Sequence, residues 1–261
     1  MSGMIGDTVT DTMAGTTAGT ATGAPHRPPG HAEVPGRWAT IATLVGVTLT
    51  RLVRGKALWI GVLFAALPVI AAAILRAYAV RPDHPDAFFL IVELLLGLLV
   101  AMFVASSIGE EIEARTGTYL WSRPIARWAV LAGKLIALTP IVAALIVAGW
   151  YAALATWSPA GPTAVSCVAL AAGSVATCLV AAGISTVVPR HAMALTIGYL
   201  LVDNFVAVMP ASLRELALAH QIAALAGLAD DAAIATPLIA LAAIAGVWTA
   251  VGLYRIRRIE V

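Results

Sequence analysis

Apolar side chains dominate six long stretches of this chain, approximately Ala57–Leu75, Phe88–Ile108, Val130–Thr156, Ala164–Val188, Ala192–Met209 and Ala232–Tyr254. A helix needs about 20 mostly apolar residues to cross roughly 30 Å of hydrocarbon at about 1.5 Å of rise per residue. The pattern therefore predicts six transmembrane helices, occupying residues 57–261. A different periodicity precedes them. Over residues 37–56, Ile41, Leu44, Val45, Leu49, Leu52 and Val53 share one helical face, opposite Thr40, Thr43, Thr50, Arg51 and Arg54. Trp38 and the closing basic residues suit an elbow helix lying in the membrane interface, although the same residues would also serve as an extended start to the first span. Residues 1–36 are rich in Thr, Gly, Ala and Pro and nearly lack large apolar side chains, so they read as a disordered cytoplasmic tail. They have neither the basic start nor the apolar core of a signal peptide.

Composition agrees with a membrane protein. Hydrophobic residues make up 61% of the 261 positions and charged residues 11%, against roughly 25% charged in a soluble domain. The net charge of +2, with no basic cluster interleaved with aromatics, argues against nucleic acid as a partner. Placement of the cations carries more. With the N-terminus inside, Arg27, Arg37, Arg51, Arg54, Lys56, Arg115, Arg123, Arg127, Lys134, Arg190, Arg255, Arg257 and Arg258 fall on the cytoplasmic side, and only Arg76, Arg81 and Arg214 fall outside. Thirteen of the 16 Lys and Arg residues inside predicts that both termini are cytoplasmic. The predicted fold class is thus all-α, a polytopic membrane protein. The two cysteines, Cys167 and Cys178, lie eleven residues apart on one helix, roughly 16 Å, too far to bridge.

Between the last two spans, residues 210–231 form an insertion. Ser212 and Glu215 make a capping-box pattern ahead of Leu213, Leu216 and Leu225, and Gly227 supplies a stop, so a short amphipathic or re-entrant helix is expected on the outer face. In the fourth span, Ala169, Gly173, Thr177, Ala181 and Ser185 recur every four residues, a small-residue stripe that admits a close helix, unless it simply reflects an Ala-rich composition. Pro68 and Pro140 are candidate kinks. Glu93 and Asp203 are ionisable residues inside apolar spans, where a carboxylate marks either a pathway or an interior pair. Both fall in the outer half of the membrane, where they would line a vestibule, pair with Asn204, His220 or a neighbouring helix, or simply be protonated.

The richest polar stretch is the loop over residues 108–128, placed in the cytoplasm by the charge distribution. Glu111 and Arg115 have the favourable i,i+4 spacing, Gly117 provides a stop, and Pro124 suits the first turn of the next helix. A short charged helix parallel to the membrane is expected, carrying Glu110, Glu111, Glu113 and Arg115; a charged loop is also, by itself, an ordinary solvated face. The string Glu113-x-x-x-Gly117-Thr118, then Leu120-x-Ser122-Arg123-Pro124-x-x-Arg127 and Gly133-Lys134, resembles the loop between the second and third spans of type-2 ATP-binding cassette (ABC) permeases. The interfacial helix, six spans and late helical insertion are similar to that family too, over about Arg37 to Val261. Trp121 departs from it, standing where the family more often has Leu.

The resemblance implies a permease subunit, with the 108–128 loop as a coupling element against a separate ABC ATPase, and with a second permease copy or paralogue completing a dimer. ATP and Mg would then be bound by the ATPase. The sequence agrees by omission, since no Gly-x-x-x-x-Gly-Lys-Ser/Thr cradle occurs and no cofactor or metal is expected on this chain. Its five histidines lack zinc-binding spacing, and there is no Gly-x-Ser-x-Gly nucleophile elbow. The resemblance favours export across the plasma (inner) membrane. The competing expectations are an intramembrane lipid-modifying enzyme using Glu93 or Asp203, and a structural subunit that anchors other proteins through the loop.

Overall fold

The computed structural model describes residues 37–78, 85–113, 127–157, 163–209, 212–228 and 234–258. The expected tail over residues 1–36 lies outside them. Among the described residues every regular element is helical: α1 (Arg37–Arg54), α2 (Lys56–Ala77), α3 (Pro85–Val100), α4 (Ser106–Glu113), α5 (Arg127–Trp157), α6 (Ala164–Val187), α7 (Ala192–Ala207), α8 (Leu218–Leu225) and α9 (Ala235–Arg258). A π-helical segment, Ala101–Ala105, joins α3 to α4, and 3-10 turns occupy Pro189–His191 and Ser212–Leu216.

Five helical segments are long and apolar enough to cross a membrane: Lys56–Ala77, Phe88–Glu113, Trp128–Trp157, Ala164–Val187 and Ala235–Arg258. The expected fifth crossing is shorter. Helix α7 has 16 residues, roughly 24 Å, before the chain turns at Val208–Met209. The insertion contains the expected short helix, and of the two forms expected, amphipathic or re-entrant, its burial favours the second. Helix α8 is buried along most of its length, through Leu218, Ala219, Gln221, Ile222, Ala224 and Leu225, and packs against α6, α7 and α9. Its side chains are too apolar and too small to serve as a solvated cap, which is why the segment goes into the bundle. Gly227, at φ +79°, ends it: Leu228 N–H donates to the Ala223 carbonyl at 3.0 Å and Gly227 N–H to Ala224 at 3.1 Å. This pair of bonds is the Schellman closure that glycine favours.

Helix α6 and the α3–α4 helix form the centre, each 67% buried over its apolar window, whereas α2 and α9 are 17% and 22% buried and form the periphery. The small-residue stripe of α6 faces inward, with Ala169, Gly173, Thr177, Ala181 and Ser185 all buried. A methyl group on Gly173 would lie 2.6 Å from Ile222 of α8, and one on Gly183 would lie 2.7 Å from the Trp248 carbonyl oxygen of α9. On the other side, a methyl group on Gly149 of α5 would lie 2.6 Å from the Ala65 carbonyl oxygen of α2. Without a hydrophobic force between helices in lipid, such close approaches to glycine backbone supply the packing.

One end of the bundle is fixed by aromatic rings and hydrogen bonds. Trp150 packs on Phe88 (5.9 Å between ring centroids) and edge-on to Phe89 (5.3 Å), while its indole N–H donates to Ser166 Oγ at 3.0 Å. Arg76 Nη1 donates to the Thr156 carbonyl at 3.0 Å, joining the ends of α2 and α5. Thr163 caps α6 by accepting from Ser166 N–H at 3.2 Å. At the other end, α1 is separate from α2, because Gly55 is extended (φ −83°, ψ 154°) and breaks the helix. Helix α1 instead lies on α5, with Ile41 buried, Leu44, Val45, Leu49 and Leu52 half-buried, and Trp38, Val47 and Val53 exposed.

Candidate functional site

Two places gather the polar residues singled out in the sequence. The first is where α4, α5 and α1 meet. The second span does not stop at Ile108, since helical backbone continues through the π segment to Glu113. Glu110, Glu111 and Glu113 therefore sit on the last turns of a membrane-crossing helix, rather than on a separate helix lying along the surface. Glu110 and Glu113 are exposed and Glu111 is half-buried. Arg115, Gly117, Thr118, Ser122, Arg123 and Pro124 lie outside the described residues, and Arg127 begins α5.

What holds α4 in place is Lys134, eight residues into α5. Its ammonium forms an ion pair with Glu111 and donates to the Ser107 carbonyl at 2.5 Å. Just before it along the chain, the π turn shifts the ladder so that Ser106 N–H donates to the Ala101 carbonyl, and the Ser106 hydroxyl donates to the Met102 carbonyl. The neighbouring Gly133 gives α1 its seat, since a methyl group there would be 3.2 Å from Leu44 Cβ. Gly133 and Lys134 thus join α1 and α4 to the same turn of α5. On the opposite flank of α4, Gly109 receives the Pro189–His191 turn so closely that a methyl group would lie 2.7 Å from the Pro189 carbonyl oxygen. Within the π segment the Ala105 carbonyl lies 3.5 Å from the Ser185 hydroxyl of α6, which also donates to Ala181 at 2.6 Å.

The second place is a cavity inside the bundle. Glu93, Thr177, Asp203 and Asn204 line it together with Leu200 and Ile222. Asp203 has a partner that sequence reasoning did not name. Its two carboxylate oxygens accept the backbone N–H groups of Leu218 and Ala219, each at 2.9 Å. These are donors that the first turn of α8 leaves open, so a carboxylate from α7 caps a helix that has no side-chain cap of its own. His220 turns instead toward Glu215, at 3.7 Å. Asn204 donates from Nδ2 to the Leu200 carbonyl at 2.9 Å.

Known proteins place this architecture. A family model described as the ABC-2 family transporter protein matches residues 1–240. The chain belongs to the ABC-2 transporter family. No curated protein compared with it matches. An ABC-2 transporter family membrane protein with several apolar crossing helices is a transporter permease component, generally a non-enzymatic subunit that works with an ATPase. In this ABC-2 chain, the Gly133-Lys134 pair of the quoted motif ties the end of the second span to the start of the third.

Proposed function

We propose that this chain is the permease of an ABC exporter in the plasma membrane, with both termini cytoplasmic, paired with a second permease and driven by a separate ATPase docked at residues 108–128. The observation that carries this reading is the fixation of α4. An ATPase pushing on exposed Glu110 and Glu113 would act on a segment locked by Lys134 to α5 and by Gly109 to the Pro189–His191 turn. Force applied there cannot be absorbed by a loose loop, and it enters the second span directly through continuous helix. The π segment, eight residues from Glu113, is the local irregularity at which such a span can change its winding.

The alternative of a lipid-modifying enzyme has less support, because one of its two candidate carboxylates, Asp203, is engaged by two backbone donors. A test is purification of the full chain in mild detergent. The expected result is stoichiometric recovery of an ATPase bearing a phosphate-binding loop, and its release or uncoupling by joint charge reversal at Glu113 and Arg123. A chain that hydrolyses lipid without any ATPase, or a double reversal that leaves binding and coupling intact, would contradict the proposal.

A further inference from the structure

The cavity beside α8 presents more hydrogen-bond acceptors than donors. Glu93, 8% exposed, lines it, and its Oε1 has no hydrogen-bond partner among the described residues. Asn204 Oδ1 is likewise buried and unpartnered among the described residues, while one of the two Nδ2 N–H groups donates to the Leu200 carbonyl. The Thr177 hydroxyl gives its proton to the Gly173 carbonyl at 2.7 Å, so only lone pairs remain for the cavity. Asp203 accepts one N–H on each oxygen and keeps further lone pairs. Four residues from three helices therefore supply several oxygens against the one N–H that Asn204 has left. Buried acceptors without donors are costly, and an intramembrane carboxylate most of all.

We infer that the cavity formed by Glu93, Thr177, Asp203 and Asn204 binds one monovalent metal cation of about the size of sodium. The free volume, about 20 Å³, accommodates a guest the size of one water. Hard oxygen donors suit alkali cations, and protein oxygens replacing a hydration shell are how such ions are held at membrane depth. Four ligating residues fall short of the six to eight oxygens that calcium takes. The N-terminus of α8 already offsets part of the charge on Asp203, so Glu93 supplies the main attraction. The site stands independently of the transport reading, since it needs neither ATPase nor substrate.

The competing occupant is a proton shared with water, and the test separates the two. Full-length chain in nanodiscs is titrated with NaCl against choline chloride at constant ionic strength, and its unfolding temperature is followed. The expected result is a saturable rise of about 5 °C with sodium only. Glu93→Gln abolishes this rise, and Thr177→Val shifts the midpoint to roughly tenfold higher sodium. Radioactive sodium retained by the wild-type chain, at about one ion per chain and displaced by unlabelled sodium but not by choline, provides a readout independent of how the variants fold. Equal unfolding temperatures in sodium and choline, or no retained sodium, would overturn the site in favour of the protonated pair. A sodium response that persists in Glu93→Gln would overturn it as well.

Discussion

Replacing Lys134 with glutamate is expected to cost this permease at least tenfold in ATP-driven transport while leaving it folded. The ammonium of Lys134 is 14% exposed and its partner Glu111 is 31% exposed, so the pair lies between the buried and the solvent-screened regimes. Breaking it costs about 2 kcal/mol, short of the 3–5 kcal/mol of a fully buried pair, and lowers the unfolding temperature by roughly 5 °C. The functional loss is larger than the stability loss because the substitution places two carboxylates together and removes the donor to the Ser107 carbonyl, releasing α4 from α5. Exchanging the charges, Glu111→Lys with Lys134→Glu, restores most of the transport, since the attraction returns although the Ser107 bond does not. Transport assayed in proteoliposomes with the cognate ATPase checks this. Lys134→Glu with wild-type transport, or an exchange that rescues nothing, would mean that the pair plays no part in coupling.

The second large effect is expected at Asp203. Truncation to alanine leaves the Leu218 and Ala219 N–H groups without an acceptor in an apolar interior, and each bond to a charged acceptor is worth about 1.5–3 kcal/mol. Asp203→Ala should therefore cost about 3–4 kcal/mol and lower the unfolding temperature by roughly 10 °C. Asp203→Asn keeps one carbonyl oxygen as an acceptor and should cost about half as much. Loosening of α8 should be visible as new protease cleavage between residues 212 and 228, in the segment that the cap holds inside the bundle. An alanine variant within 2 °C of wild type would show that α8 is held by its apolar contacts alone.

Much of this fold is legible in the sequence, because lipid leaves the backbone few options: long apolar runs must be helices, and their small residues must be where helices meet. The four-residue stripe through Gly173 offers an interface that its Ala-rich setting leaves open until the structure shows it buried, and Gly227 could be placed as a stop. The site of α8 could not. A capping box at Ser212 and Glu215 describes local geometry, whereas the burial of Ile222 against Gly173 is decided by partners 40 to 50 residues away. The Lys134 partner of Glu111 is not legible in the sequence for the same reason. The i,i+4 neighbour of Glu111, Arg115, is visible in the sequence and lies outside the described residues, but the partner that the structure shows is Lys134, on another helix. Glu93 and Asp203 were recognised as exceptional by their setting, but nothing in the sequence separates the carboxylate that caps a helix from the one left unpartnered.

The account depends most on which side of the membrane receives the loop after the second span. A single cysteine at Thr118, in a chain whose Cys167 and Cys178 are replaced by serine, can be treated with a membrane-impermeant maleimide in vesicles of known orientation. Reaction in inside-out vesicles, and none in right-side-out vesicles until they are permeabilised, is the predicted result. Labelling of Thr118→Cys from the external side of intact vesicles would contradict it, and would place the Glu110–Arg127 segment beyond the reach of any cytoplasmic ATPase.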